Sequence, residues 1–131
     1  MDFIKAPDVQ QKIEKIISFL NSSSEYKHLD ANRIICMRSF NSKARAYARI
    51  WAFPRIWQKA LNIGTFYVIE VLSENFDNLS EEKKEQVLIH ELLHIPKTFS
   101  GALLEHRNIH RPITQKKVME VWQKYREFSK L

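Results

Sequence analysis

A chain of 131 residues, 44% hydrophobic and 11% aromatic, has the size and composition of one globular domain spanning 1–131 and excludes a disordered polymer. Its single cysteine, Cys36, excludes an intrachain disulfide, and with no apolar leader or membrane-spanning run the sequence reads as a cytoplasmic protein that stays out of the membrane. The net charge of +6 is uneven: no acidic residue falls between Asp30 and Glu70, while Arg33, Arg38, Lys43, Arg45, Arg49, Arg55 and Lys59 all do.

Along the chain, Asp8 has the position of an N-cap, with Gln11 completing a capping box. Val9, Ile13, Ile16, Ile17 and Leu20 then mark one helical face. RIICMRSF (Arg33 to Phe40) reads as a strand. The next segment, ARAYARIWAF (Ala44 to Phe53), alternates: Ala44, Ala46, Ala48, Ile50 and Ala52 point one way, and Arg45, Tyr47, Arg49, Trp51 and Phe53 the other. Small residues on one face would let a helix approach closely. Pro54 ends that strand and can open the short helix PRIWQKAL. After Gly64, TFYVIEVL (Thr65 to Leu72) has the continuous apolar character of a buried strand.

Ser80 followed by Glu81 and Glu82 predicts a helix start, because acidic groups favour the positive end of a helix. That helix should run to about Ile95. Pro96 stops it, since its ring disfavours helical geometry in the preceding residue. Thr114 caps a final helix with an apolar stripe of Val118, Val121, Trp122, Tyr125 and Phe128, and Ile113 and Val118 are spaced as a hydrophobic staple. The predicted class is α+β: a small mixed sheet covered by an N-terminal helix, the helix over Glu81 to Ile95 and a C-terminal helix.

The chemistry is concentrated in VLIHELLHIPKTFSGALLEH, Val87 to His106. Residues four apart share a helical face, so His90 and His94 can both reach one Zn2+ ion. Glu91 stands beside them, placed to take a proton from a metal-activated water without ligating the metal itself. Leu88, Ile89, Leu92, Leu93 and Ile95 surround these polar groups, so the helix must be largely buried. Burying two imidazoles and a carboxylate without partners is costly, and a bound metal removes that cost.

A catalytic zinc needs a third protein ligand and one open position. Gly101 permits the chain to reverse, and His106 is the first choice for that ligand, with His110 second and Glu105 a further oxygen donor. His110, Arg107 and Tyr125 are candidates for an oxyanion donor. His28, in a polar stretch, reads as a surface histidine.

The sequence HELLHIP, followed by Phe99, Gly101, Leu104 and His106, resembles a small family of zincin-like metallopeptidases of phages and archaea. The likeness is densest from about Phe66 to His106 and looser elsewhere, including YARIWAFPRIWQ. It implies zinc on His90, His94 and His106, with Glu91 as the catalytic base. The chain departs from the metzincin pattern, which would place glycine and histidine where Lys97 and Ser100 stand.

The function expected is therefore zinc-dependent hydrolysis of a peptide or protein substrate, laid antiparallel along an exposed sheet edge. The alternative is a zinc-containing nucleic-acid-binding module without catalysis, using the basic segment Arg33–Lys59 and its interleaved aromatics. Against the alternative, a structural zinc site usually has four protein ligands, often cysteines, and does not need Glu91.

Overall fold

The computed structural model describes residues 2–109 and 111–130. In chain order the elements are β1 (Asp2–Lys5), α1 (Pro7–Leu20), β2 (Ile34–Phe40), β3 (Ala48–Trp51), α2 (Arg55–Leu61), β4 (Tyr67–Leu72), α3 (Ser73–Phe76), α4 (Glu81–Leu92) and α5 (Gln115–Ser129). Two single turns of 3-10 helix, Ser24–Tyr26 and Ala31–Arg33, lie between α1 and β2. The class is α+β, as the alternating periods of the sequence predict.

The strands form one mixed sheet in the order β1-β2-β4-β3. Its central pair, β2 and β4, is parallel, and both edges run antiparallel to their neighbours. The register places Ile34 opposite Tyr67, Cys36 opposite Ile69 and Ile50 opposite Ile69 from the other side, so these residues share one face. That face meets α1 and α4, and α5 packs on both helices. Val9, Ile13, Ile16, Ile17 and Leu20 are all buried there, together with Leu88, Ile89, Val118 and Val121.

Several expectations are corrected in detail. Asp8 is not the N-cap of α1. The cap position is Ala6, Pro7 opens the helix, and Asp8 turns its carboxylate to Arg38 at 2.8 Å. Proline already has the φ a first helical residue needs, so no side-chain cap is required. β1 has no counterpart in the sequence reading, because its four residues are all exposed and carry no burial pattern. Where β1 ends, the Gln10 side chain continues its pairing with β2: it donates to the Ile34 carbonyl at 2.8 Å and accepts from the Cys36 N–H at 2.8 Å.

The strand expected over Ala44 to Phe53 is only Ala48–Trp51. Before it, the Asn75 amide donates to the carbonyls of Ala44 and Ala46, at 3.1 and 2.9 Å, and draws that stretch away from the sheet. α4 likewise ends at Leu92 and not at Ile95, because its last turn tightens: His94 N–H bonds the Glu91 carbonyl and Ile95 N–H the Leu92 carbonyl. Ser80 caps α4 as read, accepting from Lys83 N–H, and Thr114 caps α5 by accepting from Lys117 N–H.

Gly101 is the position where backbone freedom matters. Its φ is +97°, and a Cβ there would run into the carbonyl oxygen of Phe53. A Cβ on Gly64 would meet only the guanidinium end of Arg33, which can swing aside. Gly101→Ala is therefore expected to cost about 2 kcal/mol or more in urea unfolding, and Gly64→Ala less than about 1 kcal/mol. Equal losses for the two would remove the close approach as the reason.

Candidate metal centre

His90 lies on the last full turn of α4, facing the edge of the sheet, and His94 follows on the tightened turn that closes it. Their rings stand 5.2 Å apart, centre to centre. His106 comes from the irregular segment after Pro96, which returns across the end of α4. The turn-back is made by main chain: Leu104 N–H donates to the His94 carbonyl at 2.7 Å. The ring of His106 then lies 5.1 Å from that of His90 and 4.6 Å from that of His94.

The three histidines offer nitrogens that all lie within 4.8 Å of one another. Nε2 of His90 and Nε2 of His106 are 3.1 Å apart. Two nitrogens about 2.0–2.1 Å from one zinc ion at a tetrahedral angle stand roughly 3.3 Å apart, so this spacing suits a shared metal. Nδ1 of His94 donates to the Leu104 carbonyl at 2.6 Å, which fixes its ring and turns Nε2 toward the other two histidines. Burial lowers the basicity of His90 to a pKa of about 4, aided by the neighbouring His94 and His106, and burial likewise lowers His94. Neutral imidazoles are the form a metal binds. The donor set therefore fits a metal ion.

Glu91 is 8% exposed, and burial alone pushes its carboxyl up to about 8. It shares a cleft of about 280 Å³ with His90, Tyr47, Lys83, Gln86 and Gln115. A neighbouring cation would bring its pKa back down, because a positive charge favours the ionised form.

Other residues singled out from the sequence fall elsewhere. Glu105 and Arg107 are exposed, and Glu105 is outside the histidine group. Tyr125 is buried in the core, edge-on to Phe19 at 5.7 Å, so it is displaced from the site as an oxyanion donor. His110 lies outside the described residues. His28 is half-buried, not a surface group, and its Nε2 bonds the Ile95 carbonyl at 3.2 Å. On the basic strand, Arg49 and Trp51 are both engaged by the buried Glu70, through Arg49 Nε at 2.9 Å and Trp51 Nε1 at 2.8 Å.

Three supports of the site escaped the sequence reading. The Tyr67 hydroxyl accepts from Gly101 N–H at 2.9 Å and donates to the Ala102 carbonyl at 2.8 Å. Arg111 Nη2 reaches the carbonyls of Leu93 and Ile95, at 3.3 and 3.0 Å, on either side of His94. Lys83 lines the cleft. Only Lys83 had a visible signal, lying seven residues before His90 and so on the same helical face.

The family model described as "Putative phage metallopeptidase" matches residues 1–127. No curated protein and no solved structure matches the chain. The match runs from β1 through nearly all of α5, so it concerns the whole fold and not only the histidine motif. The chain belongs to this phage metallopeptidase family, whose description carries a metal cofactor and a protein substrate.

Proposed function

We propose that the chain is a zinc-dependent peptidase whose single catalytic domain occupies 1–131 and acts in the cytoplasm. The observation that carries this reading is the convergence of three histidine nitrogens beside one buried carboxylate, at the wall of an open cleft. His90, His94 and His106 hold Zn2+. Three imidazoles that leave a fourth position for water are a donor set of catalytic zinc. An ion held there would supply Lewis-acid chemistry, polarising a scissile carbonyl and activating water.

The protein's own groups do the rest. Glu91 takes the proton from the attacking water and passes it to the leaving amine. Its burial holds it in place and keeps competing solvent out, and the Leu104 carbonyl keeps the His94 ring in its ligating orientation. β3 is an edge strand paired only with β4 among the described residues, and it lies against α4. Its outer hydrogen-bonding edge can take an extended peptide as an antiparallel strand. The nucleic-acid alternative draws less support, since Arg49 and Trp51 are occupied by Glu70 and the family description names a peptidase.

Glu91→Gln should keep about one zinc per chain and lower kcat by at least about 100-fold, because Glu91 handles protons and not the metal. Loss of zinc from that variant, or full activity, would refute the role.

His106→Ala should weaken zinc binding by at least about tenfold and remove activity, whereas His110→Ala should keep the metal. Zinc content after dialysis against a weak chelator decides this. Metal retained in the first variant and lost from the second would move the third ligand to His110.

The metal-free protein should also show a characteristic pH dependence. Glu91 is raised from 4.5 to about 8, so its contribution to stability is fully present below 4.5 and is lost as the pH rises through 8. His90 is lowered from 6.5 to about 4, so its contribution is present above 6.5 and is lost as the pH falls through 4. Relative to wild type, metal-free Glu91→Gln should gain at least about 1 kcal/mol at pH 9 compared with pH 5. Thermal unfolding at the two values measures it, and an unchanged difference between the proteins would contradict the buried carboxylate.

A further inference from the structure

The cleft beside Glu91 has a chemical bias of its own. α4 lines it from Lys83 through Gln86, Val87 and His90 to Glu91, and the other charges on the first turns of that helix, outside the cleft, are engaged. Glu81 pairs with Lys12 and Lys84, Glu82 with Arg126, and Glu85 accepts from Trp122 Nε1 at 3.1 Å. Lys83 is the exception. Among the described residues it makes no salt bridge. Its ammonium stands 5.8 Å from the ring centre of Tyr47, and both side chains line the cleft. Gln86 and Gln115 line it as well, and neither side-chain amide has a hydrogen-bond partner among the described residues. A partly buried cation with two idle amides is a wall that lacks an anion.

Reach and direction agree. Seven residues of helix put Lys83 about 10 Å along the axis from His90. A lysine and a glutamate side chain, each several ångström long, span that interval when one comes from Lys83 and the other from a residue beside the metal. β3 runs from Ala48 to Trp51, with Tyr47 just before it. A substrate antiparallel to β3 therefore passes Tyr47 on its C-terminal side. We propose that the cleft takes an acidic side chain immediately C-terminal to the bond that is cut, and that Lys83 is the residue that reads it. This rests on the peptidase reading above and adds the class of substrate.

The test uses the zinc-loaded full chain and three synthetic peptides that differ only at that position, carrying Glu, Gln or Lys. Wild type should cut the Glu peptide with a kcat/KM about fivefold or more above the Lys peptide, and the gap should narrow as salt is added. Lys83→Glu should invert the order, and Lys83→Met should bring the Glu and Gln peptides together. A variant that merely folds poorly loses all three substrates alike, so inversion separates recognition from damage. If wild type shows no acidic preference, or Lys83→Glu keeps the wild-type order, the inference is overturned and the peptidase reading stands. If the zinc-loaded chain cuts none of the peptides, nor a denatured protein mixture, the peptidase reading falls and this inference falls with it.

Discussion

The candidate site depends on one hydroxyl. His106 lies on the segment between Pro96 and Thr114, whose described residues form no helix or strand, so it has no ladder of its own among them to hold it. The Tyr67 hydroxyl, at the start of the central strand β4, takes the Gly101 N–H and gives its proton to the Ala102 carbonyl. It thereby turns a fully buried ring into an anchor for the loop. Gly101 in turn gives its carbonyl to Phe53 N–H at 3.2 Å, which brings the edge-strand side of the sheet to the same point. From there Leu104 N–H reaches the His94 carbonyl and the Leu104 carbonyl takes the Nδ1 proton of His94. Position is thus transmitted from the sheet to the loop, and from the loop to two of the three rings.

Two buried carboxylates show how the protein separates structure from chemistry. Glu70 lies in the middle of β4 at 1% exposure, where burial by itself would raise its pKa. Hydrogen bonds from Arg49 and Trp51 outweigh that and hold it below the ordinary range, so the charge is fully partnered. Glu91 is nearly as buried, yet its pKa goes up to about 8 because nothing offsets desolvation. A buried acid without a partner is a cost the fold carries for some other reason. A metal ion held by the neighbouring histidines would be that reason.

What was legible in the sequence follows the same division. Where a residue's fate was set by periodic burial within a helix, the reading largely transferred. The five apolar residues of α1 are all buried, as are Val118, Val121, Trp122 and Tyr125 of α5, although Phe128 at the end of that stripe is exposed. Ser80 and Thr114 cap the helices they precede. The histidine motif was legible because a helix fixes the relation of its residues locally. The return of His106 was expected from the chain's length and Gly101, although no pattern showed what would hold it. Long-range side-chain bonds leave no local pattern. Gln10 completing the edge of β2, Asn75 withdrawing Ala44 and Ala46, and Arg111 gripping the end of α4 each join residues far apart in sequence. The arginine–aromatic alternation of β3 was visible, but its meaning was not. Only the register, which sets Arg49 opposite Glu70, assigns that arginine to the sheet.

The loop also carries strain that bears on metal binding. Phe99 has φ of +48°, an uncommon conformation for a bulky residue, and is held there by edge contact with Tyr67 at 5.1 Å between ring centres. Gly101 follows in a conformation that other residues resist. The loop is kept in this shape by a few hydrogen bonds and these contacts, and it brings the nitrogens of the three imidazoles within 4.8 Å of one another. An ion bound to His90, His94 and His106 would tie the loop to α4 at His106, whose carbonyl already accepts from Ile113 N–H at 2.8 Å. Binding energy of that kind is also folding energy, since the ligands are brought together only in the native chain. A small protein with no disulfide would thus gain a staple and a reactive centre from the same ion, and the strain at Phe99 is borne by the contacts that keep His106 in reach of the other two histidines.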